Sequence, residues 1–242
     1  VAIMVAVCAA MGALRPASPS VIGHAMVVGI LAHATYISGV AKALEFGVSA
    51  GVVALVAGLQ PLITAALVSR LLGENVSVMQ WLGLVLGFAG VALVVFEKIS
   101  LGIGAVAGFA FAGLALVGIT AGTLYQKRFC GGHDMRTSLA FQFIAAAAVT
   151  FAVAFVVEDL EVSWTDEFIF ALGWLAVVVS IGAFALLMAM LRRGQMARVT
   201  SLFYLTPPTT AVFGYFLFGE VLGALALVGM AVAVTGVALV NR

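Results

Sequence analysis

Charge is what this sequence has least of. Only 9% of its 242 residues are Asp, Glu, Lys or Arg, whereas 64% are hydrophobic. A water-soluble domain carries about 25% charged residues, so this chain cannot cover a water-facing surface. The formal net charge is +1 and the basic residues form no block, which excludes a nucleic-acid-binding face. Two cysteines, Cys8 in an apolar run and Cys130 in a basic stretch, make no disulfide framework and no CxxC metal site. No histidine has the close acidic or cysteine companions of a metal centre. Strand-like alternation is missing too, which argues against an outer-membrane barrel.

What the chain does have is apolar length. Its mean hydropathy is +1.26, and a membrane helix needs about 20 mostly apolar residues. Eight segments qualify: 21–44, 48–72, 77–96, 102–126, 137–157, 167–191, 197–218 and 221–240. A ninth, 1–14, is too short to span alone. The chain opens at Val1 inside that run, without a methionine or a basic n-region, so the run is not a signal peptide. Threading the segments back and forth puts Arg15, Arg70, Lys127, Arg128, Arg136, Arg192, Arg193, Arg198 and Arg242 on one side. Only Lys42 and Lys98 fall on the other. Basic residues favour the cytoplasm. The expectation is a multi-pass protein of a bacterial inner membrane, monomeric, with a cytoplasmic C-terminus and the lipid bilayer as its surroundings.

The sequence also repeats. Residues 61–94 align with 207–240 at a constant offset of 146, with 12 identities in 34 positions. Pro61 matches Pro207, Thr64 matches Thr210, Gly73-Glu74 matches Gly219-Glu220, and "GVALV" recurs at 90–94 and 236–240. Pro208 has no partner, because Leu62 stands at the equivalent position. Five helices separate equivalent points, so the two copies face opposite ways across the membrane, as secondary transporters commonly do. The expected fold is an all-α membrane protein of two inverted five-helix repeats, 1–98 and 102–242. Nine of its ten segments are present, the first of them partial. By this register one helix and part of the next precede Val1.

The stretches "LQPLITAALVSRLLGE" (59–74), "LTPPTTAVFGYFLFGE" (205–220), the "GVALV" pair and "GTLYQKRF" (122–129) resemble the drug/metabolite transporter superfamily, in particular its EamA group. Aromatic positions in the presumed path make the chain similar to YddG-type amino-acid exporters. The resemblance implies export of small metabolites, with neutral and aromatic amino acids first, and leaves multidrug, sugar or nucleotide-sugar transport as alternatives. It implies a small-molecule substrate and no cofactor.

Transporter sites lie near the bilayer midplane, at helices broken in both halves. Pro61 and Pro207 are central in their segments, Pro207 followed at once by Pro208. A proline leaves one carbonyl without its intrahelical donor, either to face a wet path or simply to mark a packing kink. Gln60 and Thr206 precede Pro61 and Pro207, and Thr64 follows Pro61. His33 is mid-helix with Tyr36 three residues on, and an ionisable group at that depth defaults to a functional expectation. Phe141, Gln142, Trp174, Phe184 and Tyr204 supply further aromatic and amide candidates for the substrate path. His24 reads as interfacial and His133 as a loop residue. Glycines spaced by four, such as Gly83 and Gly87 or Gly118 and Gly122, let helices approach closely. Enzyme readings are weak. "GVSAG" (47–51) starts a membrane helix rather than a nucleophile elbow, "GIGAVAG" (102–108) is one residue too long for a dinucleotide loop, and no acid–base pair sits at the midplane.

Overall fold

Apolar runs of this length must satisfy their own backbone in lipid, and helices do so. The computed structural model describes residues 18–48, 50–98, 106–131, 134–157, 163–206, 208–209, 212–213, 216 and 223–241. Among them all regular structure is helical. The short run 1–14, Pro207, His133 and the Gly219-Glu220 pair lie outside the described residues. Among the described residues, four helical stretches are long and apolar enough to cross a membrane: Pro19–Glu45, Val52–Leu72, Val106–Phe129 and Thr137–Val157. Val78–Val94 and Ala224–Val240 are shorter apolar helices.

The element ends follow local chemistry. Helix α1 (Pro19–Val28) is capped by the Ser18 hydroxyl, with Pro19 in the first turn, where its missing N–H costs nothing. A π segment, Gly29–Thr35, carries the run into α2 (Tyr36–Glu45). The next segment is broken into α3 (Ala50–Ala57) and α4 (Gln60–Leu72). The break falls at Gly58–Leu59, upstream of Pro61 rather than at it, and Pro61 sits in the first turn of α4. That is the one helical position a proline fills without losing a bond. Gly73 ends α4 in the left-handed region at φ 70°, which favours glycine. Ser77 and Gln80 form a reciprocal capping box for α5 (Val78–Lys98), the Ser77 N–H donating to Gln80 Oε1 and the Gln80 N–H to Ser77 Oγ.

Helices α6 (Val106–Phe129) and α7 (Met135–Val157) are unbroken. Then α8 (Asp166–Trp174), capped by the Thr165 hydroxyl, passes through a second π segment, Leu175–Ala183, into α9 (Phe184–Arg193). Helix α10 (Met196–Ser201) runs into a 3-10 turn, Leu202–Leu205, and α11 (Ala224–Val240) closes the order. The irregular turns fall on one register. The two π segments begin at Gly29 and Leu175, 146 residues apart. So do α5 and α11, which begin at Val78 and Ala224. At the same offset the 3-10 turn corresponds to 56–59, which spans the break at Gly58–Leu59.

The chain divides into two compact units, Val1–Thr35 with Ala121–Arg193, and Tyr36–Thr120 with Gly194–Arg242. In the first, α1 and its π segment lie on α7. A methyl on Gly29 would come within 2.7 Å of the Gln142 carbonyl carbon, and one on Gly122 within 2.6 Å of Ala32 Cβ. In the second, α5 crosses α11 at backbone contact. A methyl on Gly83 would lie 2.6 Å from the Gly236 carbonyl oxygen, and one on Gly229 2.8 Å from the Gly90 oxygen. Gly90 lies on Ala233 as Gly236 lies on Gly87, each methyl meeting an α-carbon at 2.7 Å. Offset by 146, each contact maps onto the other, so the crossing is self-complementary. Tyr204, fully buried, lies against Gly87 and packs with Ala65, Leu84, Val91, Val237 and Val240.

Overpacking a close crossing costs about 1–3 kcal/mol. Gly90→Ala and Gly236→Ala are therefore expected to lower unfolding stability by similar amounts. Gly113→Ala, where a methyl meets nothing within 4 Å, is the control. Denaturant titration in detergent reads all three, and equal midpoints for the three variants would contradict the crossing.

Candidate functional site

The first π segment places His33 inside the protein, 1% exposed. Such turns are often found at functional sites. The wider turn is tied locally by Thr35, whose hydroxyl donates to the Ile30 carbonyl at 2.9 Å. His33 Nε2 lies 3.2 Å from Gln142 Oε1, and the ring tilts against Phe143 with centroids 4.7 Å apart. Gln142, wholly buried, uses its amide nitrogen twice, donating to Gln126 Oε1 at 3.0 Å and to Ser138 Oγ at 2.9 Å. With both amide hydrogens committed, Gln142 Oε1 is the acceptor facing the ring, so His33 Nε2 carries the hydrogen. All four side chains are at least 97% buried.

Of the residues expected from sequence, the structure brings His33 and Gln142 together. Ser138 and Gln126 were missed. Ser138 precedes Gln142 by one helical turn, a same-face spacing open to detection, and Gln126 stands within the quoted "GTLYQKRF". Phe141 is half-buried on α7, and Tyr36 is half-buried at the start of α2. The π turns ending at Thr35 mean that a face counted at 3.6 residues per turn does not carry through this stretch.

In the second unit, Gln60, Pro61 and Thr64 are buried in the first turns of α4. The hydroxyls of Thr64 and Tyr204 have no hydrogen-bond partner among the described residues. Pro208 is buried and Thr206 exposed. The expectation that a proline-freed carbonyl stays open meets a local repair. The Phe203 carbonyl, four residues before Pro207, accepts the Thr206 N–H in the 3-10 pattern. Two residues beyond Phe203, the Leu205 carbonyl accepts from the Thr209 hydroxyl at 2.7 Å. Trp174, on α8, is 55% exposed and stacks on Phe170 with centroids 6.4 Å apart. The Phe184 side chain lies outside the described residues.

Within α1, His24 Nδ1 lies 2.8 Å from the Tyr125 hydroxyl and the ring stacks on Phe129 at 5.1 Å. The Arg128 guanidinium sits 5.4 Å over the same Phe129 ring, a cation–π contact. Lys127 Nζ donates to the Leu191 carbonyl at 2.6 Å, a cation at a helix C-terminus. Cys130, just past α6, is buried, and burial pushes its thiol up to about 11, with nearby Arg192 pulling the other way. No group of three His, Cys, Asp or Glu side chains stands together among the described residues.

Two tests follow from this geometry. Gln142→Met keeps the volume but removes the bonds to His33, Gln126 and Ser138. It should cost about 1–3 kcal/mol for each group left unsatisfied, read by unfolding in detergent; an unchanged midpoint would mean the network contributes nothing. Cys130, in a Cys8→Ser background, should resist iodoacetamide at pH 7.5 and react faster as pH approaches 11. Rapid labelling at neutral pH would show an accessible thiolate.

Compared with known proteins, the chain matches the EamA-like transporter family over residues 1–96 and again over 100–242. It is 28% identical over 193 residues to the uncharacterized transporter YvbV of Bacillus subtilis, across 79% of this chain and 63% of that protein. It is 26% identical over 206 residues to the chloroplastic WAT1-related protein At3g02690 of Arabidopsis thaliana, across 80% and 48%. The chain thus spans less than two thirds of either relative. It is 28% identical over 223 residues to the uncharacterized inner membrane transporter YedA of Escherichia coli K12, across 90% and 70%. A crystal structure of another protein overlays with a TM-score of 0.80 at 21% identity, covering 99% of this chain and 83% of that one. At that identity the likeness is one of fold.

Proposed function

Because the chain belongs to the EamA-like transporter family, we propose that it is a secondary transporter exporting small metabolites, foremost neutral and aromatic amino acids. The mechanism is alternating access by two inverted halves, 1–98 and 102–242. It works as a monomer in a bacterial inner membrane with its C-terminus in the cytoplasm, and it performs no catalysis. The observation that carries this reading is the single register of the irregular turns. A π segment, a broken helix and a glycine-lined helix each recur 146 residues on. Transporter sites form where helices break at corresponding positions of two halves. The twofold family match and the self-complementary crossing of α5 and α11 support the same division.

In the first unit the proposed substrate contacts are His33 and Phe141, with Gln142 as the residue that holds His33 and Trp174 and Phe184 as outlying candidates. In the second they are Tyr36, Gln60, Thr64, Tyr204 and Thr206, and Pro61, Pro207 and Pro208 mark the breaks. The committed amide hydrogens of Gln142 make it a holder of His33, and they leave the imidazole and the neighbouring aromatic rings to meet solute. Rings stack flat apolar side chains, which favours aromatic amino acids over sugars.

Flux into vesicles carrying the purified chain, screened over amino acids, sugars and drugs with and without a pH gradient, tests the proposal. Unmodified solute crossing the bilayer is the expected result, and a chemically altered product would overturn it. Selective flux of drugs or sugars would move the substrate class to those solutes. His33→Ala should lower flux at least about tenfold, the loss of one buried hydrogen-bonding group, and Tyr36→Ala should lower it as well, while both variants insert normally. Wild-type flux in both variants would remove them from the path.

A further inference from the structure

The Gly-Glu pair at 73–74 takes no part in the His33 network. In the structure, Gly73 turns the chain out of α4 with φ 70°, and Glu74 reaches residues over a hundred positions away. Its Oε2 accepts the backbone N–H of Met196 at 2.8 Å. Met196 opens α10 and is fully buried. An N–H in a first helical turn has no acceptor of its own helix, and a carboxylate there also meets the positive end of the helix. Six residues beyond Glu74, Gln80 donates from Nε2 to Gln195 Oε1 at 3.2 Å and to the Val240 carbonyl at 3.5 Å. Asn241 Nδ2 donates to Ser201 Oγ at 3.3 Å. All of these residues lie in the second unit. They tie the end of α4 and the start of α5 to the start of α10 and the end of α11.

The tied segments come from the two proposed halves. Residues 74–80 belong to the first, and residues 195–201 with 240–241 belong to the second. Resting on the transporter reading, we propose that Glu74 and Gln80 are the latch that holds the cytoplasmic ends of α4 and α10 together. They act as positioning residues rather than substrate contacts, and their bonds must part each time the cytoplasmic side opens. The capping box supports this role. Ser77 accepts from the Gln80 backbone while its own N–H donates to Gln80 Oε1, which leaves the Gln80 amide nitrogen aimed at Gln195. A carboxylate bonded to a backbone N–H is suited to a reversible closure, because water replaces the contact when it opens.

The test is a distance measurement on the full chain in nanodiscs, with Cys8 and Cys130 replaced by alanine and spin labels at Ser69 in α4 and Arg198 in α10. The unsubstituted latch should give one dominant short distance. Glu74→Ala should raise the longer-distance population about tenfold, the effect of one lost charge-assisted hydrogen bond. Glu74→Gln keeps an acceptor oxygen and should stay within about threefold of the parent. Gln80→Ala, for use if Glu74→Ala does not fold, should shift the distribution the same way. A parent-like distribution in Glu74→Ala, or a shifted one with unchanged flux, overturns the latch. Absence of flux in the parent overturns the transporter reading instead, and the distances still decide whether these residues join α4 to α10.

Discussion

The second unit depends on one contact, the crossing of α5 and α11 at glycine. In lipid no hydrophobic force drives helices together, since the tails are as apolar as the side chains, and close packing has to do it. Gly83, Gly87 and Gly90 on one helix and Gly229 and Gly236 on the other let the backbones touch. Because the contact of Gly83 with Gly236 is mirrored by that of Gly229 with Gly90, one geometry satisfies both helices at once. Tyr204 fills the space left by the missing side chain of Gly87, and this anchors the 3-10 turn that begins at Leu202. Leu84, Val91, Val237 and Val240 then close around it. A larger residue at any of these glycines would separate the helices and loosen the ring's seat.

The irregular turns obey the same solvent. A π or 3-10 turn leaves backbone groups displaced, and in a membrane each must find a partner. Here the partners are local. The Thr35 hydroxyl serves the Ile30 carbonyl, the Thr206 N–H serves Phe203, and the Thr209 hydroxyl serves Leu205. Threonine suits this task because its hydroxyl bonds back along its own helix. The prolines therefore act chiefly as shape. Pro61 starts a new helix after a break, and the carbonyl left short of a donor before Pro207 is repaired one residue early.

How much of the structure is legible in the sequence depends on how local each feature is. Helix ends came within a few residues, because Ser18, Pro19, Thr165 and Gly73 act on their own neighbours. The break falls at Gly58–Leu59, three residues before Pro61, because a proline fits the first turn of a new helix better than it marks the end of the old one. The π segment "GILAHAT" holds no proline and reads as ordinary helix. Trp174 looked like a lining residue by type, yet it stacks on Phe170 and is more than half exposed. Ser138 was open to detection as a one-turn neighbour of Gln142, whereas Gln126 has no such spacing to betray it.

By itself, the sequence determined that this chain is helical and built for a bilayer, because too few charges and long apolar runs leave no other way to satisfy the backbone. Its glycines spaced by four marked helices able to pack closely, but not the partner each would meet. Only the tertiary structure decided that His33 meets Gln142 and that Glu74 caps Met196. Those pairs lie 109 and 122 residues apart. A hydrogen bond needs heavy atoms within about 3 Å, a precision that composition and periodicity do not carry and that a helix crossing supplies.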